Sequence, residues 1–197
     1  MARPVDHDRR DDLLDEIVQY LSTNGLADVS LRPLASELGV SVSTLTHHFG
    51  SKDDLIVAAL RRSATVQKQV EDRWLRRQPD LSLPELLRAW WHWVTASPRN
   101  LALVRLEIEA ASLEATLTGL PRNLRGEQIG FWRRNLETHL INTGVPRDRA
   151  IVEASLAKAM FTGLVVDLLA TGQKARLTRT LDAGLERLHE VIAASRT

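Results

Sequence analysis

Apolar residues recur at helical spacing almost from end to end of the chain, and no stretch alternates with the period of a strand. Leu13, Leu14, Ile17, Val18 and Leu21 fall on one face of a helix over residues 11–21, which Asn24-Gly25 stops. Ser30 caps a second helix, with Pro33 at its third position, where its missing N–H has no intrahelical role. Gly39 ends that helix, and Ser41 or Ser43 starts a very short third one reaching Phe49. Ser51 caps a fourth, with Asp54 placed to close a capping box, running to about Gln78. Ser82-Leu83-Pro84 and Ser97-Pro98 open the fifth and sixth. Pro121 opens a seventh that ends near Asn142-Thr143-Gly144. The eighth runs from Pro146 to Thr171-Gly172 and the ninth over residues 177–194. The pattern predicts an all-α fold of about nine helices. A small N-terminal module, residues 1–55, precedes a larger helical body, residues 56–197.

Helix, tight glycine turn and short helix over LASELGVSVSTLTHHF is the layout of a helix-turn-helix. Leu34, Ala35, Leu38, Val40 and Leu45 supply its core, closed by Phe49. That leaves Val42, Ser43, Thr44, Thr46 and His47 outward: small, hydroxyl-bearing or imidazole side chains able to approach base edges in a major groove. His47 and His48 are adjacent and point about 100° apart, so they lack the i, i+3 or i+4 spacing of a ligand pair. No metal site and no cofactor is expected.

LASELGVSVSTLTHHFGSKDDL resembles the signature of the TetR family of transcriptional regulators. Ala35, Leu38, Gly39, Val40, Ser41, Thr44, Leu45, His48, Phe49, Lys52 and Leu55 match its pattern. The resemblance implies an N-terminal three-helix DNA-binding domain and a C-terminal ligand-binding and dimerisation domain. It also implies a homodimer on a palindromic operator, most often repressing, released by a small-molecule effector. By it, Arg32 contacts DNA at the start of the second helix. Thr44, His48 and Lys52 hold phosphates, and Ser41 is a further DNA-binding residue. Val42, Ser43, Thr46 and His47 face bases or backbone. Thr46 stands where the family usually carries tyrosine.

Charge modifies that picture. The net charge of +1 conceals an acidic start: residues 1–56 hold five basic and ten acidic side chains, net −5, and the remainder is net +6. Readers of nucleic acid are usually basic where they touch it. Asp11, Asp12, Asp15 and Glu16 are therefore expected on an outer face of the first helix, and Arg3, Arg9 and Arg10 on a flexible arm reaching the DNA. Thr46 and the acidic segment motivate a second reading: a helical small-molecule-binding or protein-interaction domain whose helix-turn-helix is vestigial.

In the body, Trp74, Trp90, Trp93 and Trp132 suggest an aromatic-lined cavity for a flat or cationic molecule, with core as the plainer alternative. Arg105 and Glu109, spaced i, i+4, are pocket candidates or a solvated pair, and Arg122, Arg125, Arg133 and Arg134 read as a solvated face. Ala157, Phe161, Leu164 and Leu168 on the eighth helix, with Leu181, Leu185 and Leu188 on the ninth, are candidate dimer contacts. The chain has no cysteine, excluding disulfides and thiolate chemistry. No signal peptide, transmembrane run, P-loop or nucleophile elbow is visible, so a cytoplasmic protein that is not an enzyme is expected.

Overall fold

The computed structural model describes residues 4–27, 29–114 and 130–194. Among them are nine helices and no strand: α1 (Pro4–Asn24), α2 (Leu31–Glu37), α3 (Val42–Phe49), α4 (Lys52–Arg77), α5 (Leu83–Ala96), α6 (Pro98–Glu114), α7 (Gly130–Asn142), α8 (Arg147–Thr171) and α9 (Lys174–Ala194). The helix starts follow the local signals. Ser41 Oγ accepts from Thr44 N (3.0 Å). At Ser51 the box is closed from both sides, Asp54 N to Ser51 Oγ and Ser51 N to Asp54 Oδ2, each 3.1 Å. Ser30 takes the extended cap conformation without a side-chain bond. The expected opening of the seventh helix at Pro121 lies outside the described residues. The first helix begins at Pro4, about two and a half turns before its apolar stripe starts at Leu13.

Two turns depend on backbone that only glycine adopts freely. Gly39 (φ 64°) lets Val40 N reach Ala35 O (3.0 Å), which reverses the chain between α2 and α3. Gly50 (φ 81°) lies so close to the α4 cap that a Cβ would meet Asp54 Oδ2 at 2.9 Å.

Packing forms two cores that share elements. The N-terminal core collects Leu13, Ile17 and Leu21 of α1, Leu34 and Ala35 of α2, and Leu45 and Phe49 of α3. It also takes Leu55 to Leu60 of α4 and Leu103, Leu106 and Ala110 of α6. The second core lies between α5, α7, α8 and α9. At roughly 1.5 Å per residue, the 26 residues of α4 are about 39 Å long. Its first turns belong to the reader and its last turns to the body. Asp15 of α1 ties the two helices together through a two-pronged contact with Arg62 (2.6 and 2.7 Å), whose hydrogen bonds hold the Asp15 carboxyl below its usual range.

The proposed dimer contacts need correction. Ala157, Phe161, Leu164, Leu168, Leu181, Leu185 and Leu188 are all buried inside one subunit, between α8, α9 and α5. The inward stripe of each helix is consumed by its own chain. The apolar residues left outside on α8 are different ones: Val152 (52% exposed), Leu156 (59%), Val166 (46%) and Leu169 (39%), with exposed Ala159 and Gly163 between them.

Candidate nucleic-acid interface and ligand site

Helix α3 is short enough that one face decides its role. Leu45 and Phe49, four apart, point into the core, which turns Ser43, Thr46 and His47 fully outward. Ser41, Arg32 and Lys52 are exposed beside them. Val42 and Thr44 are half-buried rather than outward. Val42 packs on the N-terminal core, and the Thr44 hydroxyl is 2.8 Å from Ser41 Oγ. Thr46 donates its hydroxyl proton back to the helix carbonyls of Val42 (3.2 Å) and Ser43 (3.1 Å), which leaves it only lone pairs to offer outward.

His48 is half-buried, edge-on to the His47 ring (5.3 Å) and tilted against Phe49 (6.1 Å). The arm expectation fails for Arg10. It lies on α1, with its guanidinium 5.1 Å above the Phe49 ring and its Nε 3.4 Å from the His48 carbonyl. It anchors the end of α3 instead of reaching away. Arg9 is exposed on the same helix, and Arg3 lies outside the described residues. No group of three or more His, Cys, Asp or Glu suited to a metal occurs among the described residues.

In the body, the tryptophans converge. Trp90 is buried, and Trp74, Trp93 and Trp132 surround its ring at 5.1, 5.3 and 5.0 Å. Trp91 faces the other way, as its spacing predicts, but is equally buried, donating to Thr178 Oγ1 (2.9 Å) of α9. Beside Trp90 and Trp132 lies a cavity of about 10 Å³, also lined by Ala64, Gln67, Lys68, Glu71 and Glu107. Glu71 is buried and accepts from Trp90 Nε1 (3.1 Å) and Asn135 Nδ2 (3.3 Å). Burial raises its carboxyl above the ordinary value despite both bonds. Glu107 accepts from Gln67 Nε2 (2.7 Å), and burial pushes its carboxyl up to about 7.

Sequence reasoning missed both acids. A signal existed: Ser63, Gln67, Glu71 and Trp74 lie along the inward stripe of α4, where a polar residue needs a reason.

Arg105 and Glu109 do not belong to this cavity, nor are they a free solvated pair. Arg105 Nη2 donates to Ser22 O (2.7 Å) and Thr23 O (3.3 Å) at the C-terminal end of α1. Glu109 Oε2 accepts from Leu26 N (3.0 Å). The two side chains meet at 3.2 Å. Together they clamp the body's α6 onto the last turn of the reader's first helix. A positive end group on helix carbonyls and a carboxylate on a loose amide complete the capping of α1 from another element. Arg133 pairs with Glu137 (2.7 Å) and Arg134 is exposed, while Arg122 and Arg125 lie outside the described residues.

Residues 13–59, the stretch that folds into α1 to the start of α4, match the family described as bacterial regulatory proteins, tetR family. Over this stretch, about a quarter of its length, the chain is similar to the TetR family. Over 53 residues it is 40% identical to the HTH-type transcriptional regulator BetI of Brucella anthropi, which covers 27% of this chain and 27% of that protein. The chain thus matches about a quarter of that relative's length. Among solved structures, a transcriptional regulator from Rhodococcus sp. RHA1 is 22% identical, with a TM-score of 0.72 over 95% of this chain and 98% of its own. A regulator from Saccharomonospora viridis in complex with choline is 23% identical, with a TM-score of 0.69 over 91% and 96%. These likenesses show the fold, all-α with an N-terminal helix-turn-helix, across nearly the whole chain. The relatives are regulators of transcription rather than enzymes, and no described helix here is long and apolar enough to cross a membrane.

Proposed function

We propose that this protein is a cytoplasmic, homodimeric repressor that reads a palindromic operator and is released by a small molecule. The observation that carries the reading is the outward row Ser43, Thr46 and His47 on α3, flanked by exposed Arg32, Ser41 and Lys52. Hydroxyls and an imidazole at that spacing suit base edges, and the basic pair suits phosphate. Half-buried Val42, Thr44 and His48 contribute mainly by fixing α3, with the Val42 methyls at the rim of the contact. Of the acidic side chains of α1, Asp15 is neutralised by Arg62 of α4 and Asp11 lies 3.8 Å from Arg10.

The second copy would meet the exposed face of α8. Val152, Leu156, Ala159, Gly163 and Val166 recur at three- and four-residue steps, and a Cβ on Gly163 meets nothing in the subunit. A stripe of small residues between apolar ones lets two helices approach closely. An effector would enter at the tryptophan cavity, where Trp90 and Trp132 lie beside the acids and Trp74 and Trp93 pack on the Trp90 ring. Its signal would pass through α6, which carries Glu107 at the cavity and the Arg105–Glu109 clamp on α1, as well as through α4. The effector needs only to bind the DNA-incompetent arrangement more tightly.

Fluorescence anisotropy of the full-length protein on labelled DNA from upstream of its own gene tests this at several salt concentrations. Expected is tight binding that protects one palindrome, with half-site centres about 34–36 Å apart or somewhat more, weakening as salt rises. Lys52→Ala lowers affinity on every sequence, whereas Ser43→Ala and His47→Ala alter the preferred bases. Weak, equal binding to every genomic fragment would favour the vestigial-reader alternative.

A further inference from the structure

We propose that the cavity between α4, α5, α6 and α7 is a site for an organic cation, held by the Glu71 and Glu107 carboxylates beside Trp90 and Trp132. This rests on the effector reading above and adds the charge class of the effector.

Two acids from different helices line one small cavity, and the bonds each accepts come from neutral donors: an indole and an amide for Glu71, an amide for Glu107. Among the described residues neither forms an ion pair. The nearby cation of α4, Lys68, is engaged by Asp72 at 2.7 Å. A buried carboxylate without a counter-ion is costly, and an apolar or amide side chain would fill the same space at less expense. Trp90 turns its Nε1–H edge to Glu71, so the two carboxylates set the sign of the site. An uncharged ligand would leave both acids uncompensated, and an anion would be repelled. A cation satisfies both carboxylates at once.

The charged groups that face Glu107 from neighbouring helices are few. Glu71 and Lys68 lie on α4, and α5 presents Trp90. Lys158 of α8 attracts the Glu107 charge, but burial lowers the Lys158 pKa and Arg133 of α7 opposes its charge further. A cation bound beside Glu107 favours the ionised carboxyl, so binding expels a proton and tightens as pH rises through about 7. The cavity holds about one water as it stands, so an organic cation must displace a wall. Two walls are Trp132, half-buried against Trp90 and Phe161, and α6 itself. Movement of α6 at Glu107 acts two residues away on both Arg105 and Glu109, the clamp on α1.

Calorimetry on the full-length protein tests this with choline, benzyltrimethylammonium and N-methylquinolinium. Each is paired with its uncharged counterpart: 3,3-dimethylbutan-1-ol, neopentylbenzene and 1-methylnaphthalene. At pH 8 at least one cation is expected to bind about 100-fold more tightly than its counterpart. That advantage should shrink by about tenfold or more in Glu107→Gln and in Glu71→Gln. The wild-type affinity should also fall between pH 8 and pH 6. Circular dichroism verifies that the variants fold. If Glu71→Gln does not, Glu107→Gln decides alone.

No advantage for any cation, or an advantage intact in both glutamine variants, overturns the proposal. Displacement of the neutral dye N-phenyl-1-naphthylamine separates the two ideas. If the dye binds and an uncharged compound releases DNA while every cation fails, the charge class is wrong and the effector cavity stands. If nothing binds, both fall.

Discussion

The reader and the body use polar side chains in opposite ways. In the reader, polar groups sit at helix starts or face outward: Ser41 and Ser51 cap helices, and Ser43, Thr46 and His47 are presented to solvent. In the body, the informative polar groups are turned inward: Glu71 and Glu107 beside Trp90, and Arg105 with Glu109 against α1. A surface that must meet a partner as large as DNA needs an unencumbered rigid face. Under the proposed function, a cavity that responds to a small molecule gains from groups whose burial is unfavourable until something arrives.

The comparison is tested most severely at α8. Leu164→Asp or Leu185→Asp puts a charge into the subunit core and is expected to unfold the protein, costing at least about 3–5 kcal/mol. Leu156→Asp and Gly163→Leu alter the exposed face of the same helix. They should leave the melting temperature close to wild type while raising the dimer dissociation constant about 100-fold or more, read by sedimentation. A dimer unaffected by both would move the second copy to another face.

Next in size is the clamp. Glu109→Ala strips the acceptor from Leu26 N and leaves Arg105 unpaired, an expected loss of about 1.5–3 kcal/mol in denaturant unfolding. Amide exchange at Leu26 should accelerate with it. Unchanged exchange there would mean that the clamp does not hold α1.

Glu107 gives a smaller effect with a definite sign. Its folded pKa is raised to about 7 from 4.5, so the folded state holds a proton that the unfolded chain has released. Its contribution is neutral below about pH 4.5 and becomes increasingly destabilising as pH rises, levelling off above about 7. Glu107→Gln removes that decline. The variant should gain about 1–3 kcal/mol over wild type at pH 8 and little at pH 5, measured by urea titration at both values. The smallest effect is Ser51→Ala, about 1 kcal/mol from the lost cap of α4 and independent of pH above the carboxylate range.

The contrast also explains what could be read along the chain. Caps, glycine turns and the apolar stripes are local, and they located α2 to α6 and the ends of α8 within a residue or two. The helix-turn-helix has the same local character, since Leu45 and Phe49 alone fix which side chains of α3 look outward. What could not be read was tertiary. Periodicity shows that Leu164 and Leu185 belong on an apolar stripe but not whether α5 or a second subunit covers it. Arg10 looks like part of a basic arm until α1 is seen to continue through it to Phe49. Arg105 and Glu109 resemble any i, i+4 pair until the end of α1 arrives more than 80 residues away in the chain.

The shared cores have a practical consequence for engineering. Because α4 through Leu60 and Leu103, Leu106 and Ala110 of α6 complete the packing of α1 to α3, the N-terminal helix-turn-helix module is not a detachable cassette. A fragment cut at residue 55 is expected to lose part of its own interior and to collapse or aggregate. A chimera that borrows this specificity must transplant the matching surface of α6 along with the first sixty residues, or supply another helix of the same shape.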